Sequence, residues 1–100
     1  MKSLTHYIQE KLIIKKNKYK YFPETKKELK EIIEKRIKDE GNEVDLNDID
    51  VSNITDMSNL FGDFHSFNGN ISDWDVSNVT DMTSMFYNCP IEEKYKPKFK

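Results

Sequence analysis

The chain has 100 residues, of which 36% are hydrophobic and 34% are charged. A chain this short can bury only one core, so we predict a single domain over residues 1–100. Residues 1–40 hold 12 Lys and Arg, residues 41–90 hold none against 9 Asp and Glu, and residues 91–100 hold 4. Such an unbalanced negative field in the middle of the chain points to an electrostatic partner.

The sequence contains few features that indicate the cellular compartment of the protein. The first six residues lack the apolar stretch of a secretory signal, and no run approaches the ~20 apolar residues that cross a bilayer. Cys89 is the only cysteine, which excludes an intrachain disulfide. We therefore expect a cytoplasmic protein, of a bacterium or of a phage-infected host cell, with no membrane contact.

Residues 1–43 are predicted to form a helix-strand-helix cap. Apolar residues at helical spacing predict a first helix over residues 4–17, and alternating charged and aromatic residues predict a strand over residues 18–22. Thr25 and Glu28 form a capping box that begins a second helix, and Gly41 lies where a helix C-terminal glycine belongs. The inward stripe of that helix is Leu29, Ile32, Ile33 and Ile37.

Residues 44–90 contain two copies of a 25-residue repeat. Sliding the chain by 25 places residues 46–61 (the first copy) over residues 71–86 (the second copy), with nine of sixteen positions identical. The alternating triplets at 49–51 and 74–76 predict short strands. Thr55 and Thr80 are predicted to cap short helices that run to Phe61 and Phe86.

Stacking of such units would bury the apolar face of each copy on its neighbour. We therefore predict an α/β fold, in which two strand-turn-helix repeats form a short solenoid behind the N-terminal cap. Trp74 and the methionines at 57, 82 and 85 fall on the inward stripe and are predicted to be core. Residues 91–100 are a basic tail that either lies across the last repeat or is disordered, and a homodimer through the last repeat is the alternative to a monomer.

The run Asp73-Trp-Asp-Val-Ser-Asn-Val-Thr-Asp-Met82, followed by Met85-Phe-Tyr-Asn-Cys89, resembles the BspA-type leucine-rich repeat. This family is also described as a mycoplasma-type lipoprotein or bacterial surface-protein 25-residue repeat. The resemblance covers residues 44–90. It implies a right-handed, leucine-rich-repeat-like solenoid without enzymatic activity, often found in bacterial surface proteins that bind host or partner macromolecules.

Four aspartates are predicted to form an acidic face on the side of the strands opposite the core. Asp48 would lie near Asp73, and Asp50 near Asp75, when the copies stack. Such a face is either ordinary solvated surface or a site for a basic or nucleic-acid-binding protein, whose Lys and Arg clusters it would complement. Calcium is a weaker alternative because the spacing fits no EF-hand loop.

A second candidate site is the connection between Gly62 and Gly69. Phe64 and Phe67 flank His65 there and are either core or exposed contact residues. We predict that Phe64, His65 and Phe67 contribute to partner binding together with the four aspartates. Cys89 matches Phe64 in the repeat register and is predicted to be packed rather than reactive.

The sequence offers no catalytic constellation. No motif supplies a nucleophile, a base and metal ligands together, so we expect no enzymatic activity, no cofactor and no metal. Lysines interleaved with aromatic residues at 15–22 are compatible with single-stranded nucleic acid, but the acidic residues nearby argue against direct binding.

These observations favour a non-catalytic protein-protein binding module that acts by steric and electrostatic occupancy of a macromolecular partner. One concrete form is a phage-encoded inhibitor that mimics nucleic acid and blocks a host nucleic-acid-binding defence protein. The alternative is a fragment of a bacterial surface adhesin.

Overall fold

A computed structural model describes residues 18–99 of the protein. An α-helix, α1, spans Lys26–Glu40, and a 3₁₀ helix spans Glu93–Tyr95. Two isolated parallel bridges, Tyr21 with Ile49 and Asp56 with Asp81, are the β-structure of the described residues. The predicted helix over residues 4–17 lies outside the described residues.

Helix α1 follows its sequence signals. The Thr25 hydroxyl accepts a hydrogen bond from the Glu28 backbone N–H at 3.2 Å, which satisfies one of the free donors of the first turn. Gly41 ends the helix with φ of 95°, a left-handed conformation that glycine adopts without a steric penalty. Leu29 and Ile33 are fully buried. The predicted second helix is therefore confirmed.

The predicted α/β solenoid is wrong. Among residues 18–99 the structure forms no sheet, neither copy contains its predicted strand or helix, and the strand expected at 18–22 is reduced to the single bridge at Tyr21. The two copies are instead chains of tight turns, in which an N–H bonds the carbonyl three residues earlier. These turns close at Ile49, Ile54, Leu60, Gly62 and Phe64 and, 25 residues later, at Trp74, Val79, Met85, Tyr87 and Cys89.

Side chains explain why turns replace the predicted elements. The Asp50 and Asp75 carboxylates each accept a hydrogen bond from the backbone N–H two residues on, an Asx turn that competes with strand pairing. Asn59 and Ser84, at equivalent positions, have φ of 55° and 54°, which no right-handed helix accommodates. The helices predicted from Thr55 and Thr80 therefore cannot form.

The two copies nevertheless lie side by side. The N–H groups of Met57, Asn59 and Phe61 donate to the carbonyls of residues 81, 83 and 85. The pairing does not spread into a regular ladder because the Met57 carbonyl is already used in a turn with the Leu60 N–H.

One core joins the helix to both copies. It contains Leu29 and Ile33 of α1, the inward residues of the two copies and Ile91 of the C-terminal tail. Ile71 donates its N–H to the Tyr95 carbonyl at 3.0 Å, as Leu46 does to the Asn70 carbonyl 25 residues earlier. The tail therefore lies across the second copy, which was one of the two arrangements predicted for it.

No helix of the described residues is both long enough and apolar enough to cross a membrane.

Candidate binding surface

Half of the predicted acidic face is not available on the surface. Asp50 is only 5% exposed, and its carboxylate accepts hydrogen bonds from the Ser52 backbone N–H and hydroxyl. The prediction that Asp50 projects into solvent is therefore wrong, because residues 20 and 21 lie against this part of the first copy, where the Asp50 N–H donates to the Tyr21 carbonyl. Asp48 is paired with Arg36, with Nη1 and Oδ1 at 2.8 Å.

The other two aspartates are exposed. The Asp75 carboxylate accepts from the Ser77 hydroxyl at 2.6 Å, the same turn that Asp50 makes in the first copy. Asp73 is held through its backbone, whose N–H donates to the Asn47 side chain. Asp73 and Asp75 are thus the part of the predicted acidic face that a partner can reach.

Arg36 was missed at the sequence level. Its side chain is 11% exposed, contacts the carboxylates of Asp48 and Glu40, and lies over the Tyr21 ring with 5.2 Å to the ring centre. Burial opposes the charge, but the hydrogen bonds to the two carboxylates outweigh it and raise the pKa of Arg36 above its ordinary value. An arginine on the polar side of a helix carries no sequence signal for this role, because its partner in the first copy is twelve residues away.

The aromatic connection is largely core. Phe67 is fully buried and stacks on Phe61 with ring centres 4.9 Å apart, so the prediction that it is an exposed contact residue is wrong. Phe64 is half-buried and meets Phe61 edge to face. His65 is exposed and its Nε2 lies 2.9 Å from the Gly62 carbonyl oxygen. Burial of the larger rings leaves His65 as the accessible residue of this predicted site.

Cys89 is packed as expected. Its thiol lies 3.4 Å from the Phe67 carbonyl, and burial raises its pKa. A protonated thiol is a poor nucleophile and a poor metal ligand. Within residues 18–99, no three His, Cys, Asp or Glu side chains are grouped to hold a metal ion.

The structure lowers the pKa of the Asp56 carboxyl group. The Ser58 hydroxyl and backbone N–H both donate to it, and Lys26 lies 3.2 Å away, so its pKa falls from 3.8 to about 2. Because the folded state holds the lower pKa, the stabilisation is present above pH 4 and is lost as the pH falls toward 2.

We predict that an NMR titration of the Asp56 carboxyl carbon gives a midpoint near 2 and that Ser58→Ala moves it toward 3.8, since the hydroxyl makes the largest contribution. Ser77→Ala, which removes the hydroxyl that donates to Asp75 in the second copy, is the matched control and should leave the Asp56 midpoint unchanged. An Asp56 midpoint of 3.8 in the wild type would contradict the turn geometry.

The second copy leaves uncovered the edge that is covered in the first. Met57 is fully buried because the second copy lies against it, whereas the equivalent Met82 is 40% exposed. Val79 is likewise less buried than its counterpart Ile54. The sequence predicted the methionines at 57, 82 and 85 as core, and Met82 departs from that prediction because nothing in residues 18–99 lies where a following copy would.

Backbone groups along this edge are also unpaired. The N–H groups of Met82, Ser84 and Phe86 have no acceptor among residues 18–99, although their equivalents in the first copy all have one. We call residues 77–86 the open edge. An unpaired row of backbone groups is a ready site for a further extended segment.

A groove runs between the open edge and the C-terminal tail. Its larger part encloses about 560 Å³ between Met82, Met85 and Phe86 on one side and Pro97 and Phe99 on the other. A second part of about 220 Å³ continues past Trp74 and Val79 and shares Met82 and Phe99 with the first. The surface is apolar at its floor, and lysines 94, 96 and 98 of the tail line its rim.

Comparison with known proteins places the chain in a family. Residues 27–94 match the family described as a Mycoplasma protein of unknown function, DUF285. No curated protein and no solved structure matches the chain significantly. The family match covers α1, both copies and the start of the tail, which is more than half of the chain. The chain therefore belongs to this family of mycoplasma proteins.

Proposed function

We propose that this protein is a non-catalytic binding module that recognises another protein through its open edge. The observation that carries the proposal is the contrast between Met57, fully buried, and Met82, 40% exposed at the same repeat position. A large apolar side chain beside unpaired backbone N–H groups is the combination that strand-like addition of a partner uses.

The groove supports the same proposal. Backbone hydrogen bonds give such an interface affinity, and side-chain pockets beside the edge give it selectivity. The floor of Met82, Met85 and Phe86 offers an apolar pocket of this kind.

A second candidate is a basic partner bound by the acidic face. It is favoured by the exposure of Asp73 and Asp75 and by the absence of any Lys or Arg in residues 41–90. With Asp48 paired and Asp50 buried, this face carries fewer available charges than the sequence predicted.

The finer family relation is part of the proposal. We assign both copies to the BspA-type repeat pattern on the run at 73–82 and its counterpart at 48–57, which share eight of ten residues.

The test compares the wild type, Met82→Arg, and the double variant Asp73→Asn with Asp75→Asn as baits in a lysate of the source organism. Bound proteins are identified by mass spectrometry, and the strongest is purified and titrated by calorimetry. We expect a partner that Met82→Arg loses, with binding weakened about tenfold or more, and that the double variant retains. All substituted side chains are exposed, so circular dichroism should show the same helix content in each bait.

A partner lost only by the double variant would favour the acidic face and overturn the open-edge proposal. Equal capture by all three baits would overturn both.

A further inference from the structure

The contact between the two copies defines what the open edge recognises. On the first copy, the Ser52 carbonyl accepts from the Asn78 side chain at 2.7 Å. The Thr55 carbonyl accepts from the Thr80 backbone N–H at 2.7 Å, and the Thr80 hydroxyl lies 3.2 Å from the same oxygen. Two backbone carbonyls three residues apart, those of Ser52 and Thr55, therefore accept hydrogen bonds from an Asn-x-Thr segment.

Three donors complete this pattern. Beyond Thr55, the N–H groups of the first copy at 57, 59 and 61 donate to carbonyls of the second at 2.8, 3.0 and 2.9 Å. Donors at alternate residues match an extended segment that runs in the same direction. The Asn-x-Thr-Asp sequence at 78–81 enters this pairing at its Asp carbonyl.

The second copy repeats the same set of groups without occupants. Ser77 and Thr80 supply the two carbonyls, and neither accepts a hydrogen bond from any of residues 18–99. Met82, Ser84 and Phe86 supply the three N–H donors. The local sequence of the edge is also kept, since Val-Ser-Asn precedes both Ile54 and Val79 and Thr-Asp-Met follows both.

We propose that the occupant of the open edge is an extended Asn-x-Thr-Asp segment of another polypeptide, bound parallel to residues 77–86. This inference rests on the proposed function and names the chemistry of its partner. The partner's Asn side chain and Thr hydroxyl bond the carbonyls of Ser77 and Thr80, and its carbonyls at alternate residues accept from Met82, Ser84 and Phe86.

Charge complements this segment. Lys98 lines the groove and has no ion-pair partner among residues 18–99, whereas Lys94 and Lys96 are paired with Glu92 and Glu93. An acidic residue in the partner segment can therefore meet a free cation at the rim.

Two copies of this chain are poor partners for each other at this edge. Edge-to-edge pairing of two chains would offer the three N–H donors of each edge only the carbonyls of Ser77 and Thr80, which are three residues apart and do not match donors at alternate residues. The matching segment of the first copy is engaged, because Lys26 donates to the Ser58 carbonyl and to the Asp56 carboxylate. The partner segment must come from a protein in which this side is uncovered.

The test titrates ¹⁵N-labelled full-length protein with a synthetic peptide of the sequence of residues 71–90. Before addition, we expect slow amide exchange with deuterium at Met57, Asn59 and Phe61 and fast exchange at Met82, Ser84 and Phe86. With peptide, exchange at the latter three should slow and their resonances should shift.

Matched probes check the recognition pattern. A peptide with alanine in place of its Asn and Thr at positions 78 and 80 should bind about tenfold more weakly, and a scrambled peptide should not bind. The Met82→Arg protein should lose about tenfold in affinity for the original peptide, and Tyr87→Ala, at an exposed site nearby, should not.

No shift at Met82, Ser84 and Phe86, or equal shifts with the scrambled peptide, would overturn the inference. Self-association of the chain that Met82→Arg abolishes would also overturn it, by identifying a second copy as the occupant. If the wild type but not Met82→Arg captured a partner from lysate, and the peptide did not bind, the proposed function would stand. Only the Asn-x-Thr-Asp segment would then be excluded as the ligand of the open edge.

Discussion

Phe61→Ala is expected to remove about 3–5 kcal/mol from the free energy of unfolding, the usual cost of deleting a fully buried phenyl ring. Phe61 is completely buried. It stacks on Phe67 at 4.9 Å, on Phe86 at 5.6 Å and on Trp74 at 5.8 Å. Because a domain of this size has only about 5–15 kcal/mol of stability, the variant should be largely unfolded at a modest urea concentration.

The measurement is urea denaturation followed by circular dichroism and by the fluorescence of Trp74, the single tryptophan. Tyr87→Ala is the matched control, since its ring is 64% exposed and its loss should change stability by less than about 0.5 kcal/mol. If Phe61→Ala and Tyr87→Ala gave the same unfolding midpoint, the aromatic cluster would not be the centre of the core.

The parts of the fold that sequence reasoning predicted are those fixed by local chemistry. Thr25, Glu28 and Gly41 mark the ends of α1 within a few residues of where they act. The register of the repeat was also readable, and the bridge between Asp56 and Asp81 joins positions 25 apart. Neither inference needs knowledge of distant contacts.

The secondary structure inside the repeats was not predictable in the same way. Alternating residues at 49–51 suggested a strand, but the Asp50 carboxylate satisfies the Ser52 N–H locally and removes it from strand pairing. Asp50 is buried while Asp75, which makes the same turn, is exposed, because residues 20 and 21 pair with the first copy beside Asp50. The rule that a strand alternates its side chains between two faces fails where every few residues close a turn.

The candidate binding surface exists because no further copy covers the second copy. Met57 and Met82 occupy the same position in the sequence pattern, and only the presence of a following copy separates a buried side chain from an exposed one. The number of copies was visible in the sequence. Its consequence, an edge with unpaired N–H groups at alternate residues, required the directions of the backbone hydrogen bonds.

Gly69→Ala is expected to destabilise the protein by about 3 kcal/mol or more, the upper end of the range for overpacking. Gly69 is buried, and an added Cβ would overlap the Val44 carbonyl and approach two carbons of the Phe67 ring to 2.6 and 2.8 Å. The backbone cannot retreat, because Asn68 donates to the Asn42 carbonyl on one side and Leu46 donates to the Asn70 carbonyl on the other. Urea denaturation measures the loss.

Gly62→Ala is the control that separates this steric effect from the general cost of replacing a glycine. The nearest atom to its added Cβ is the Asn59 carbonyl oxygen at 3.3 Å, which a small shift relieves, so a loss under about 1 kcal/mol is expected. Equal losses for Gly62→Ala and Gly69→Ala would contradict the close approach of the chain at Val44. A large loss at Gly69 alone would show that the segment before the second copy is pressed against the segment before the first, as the copy-to-copy pairing requires.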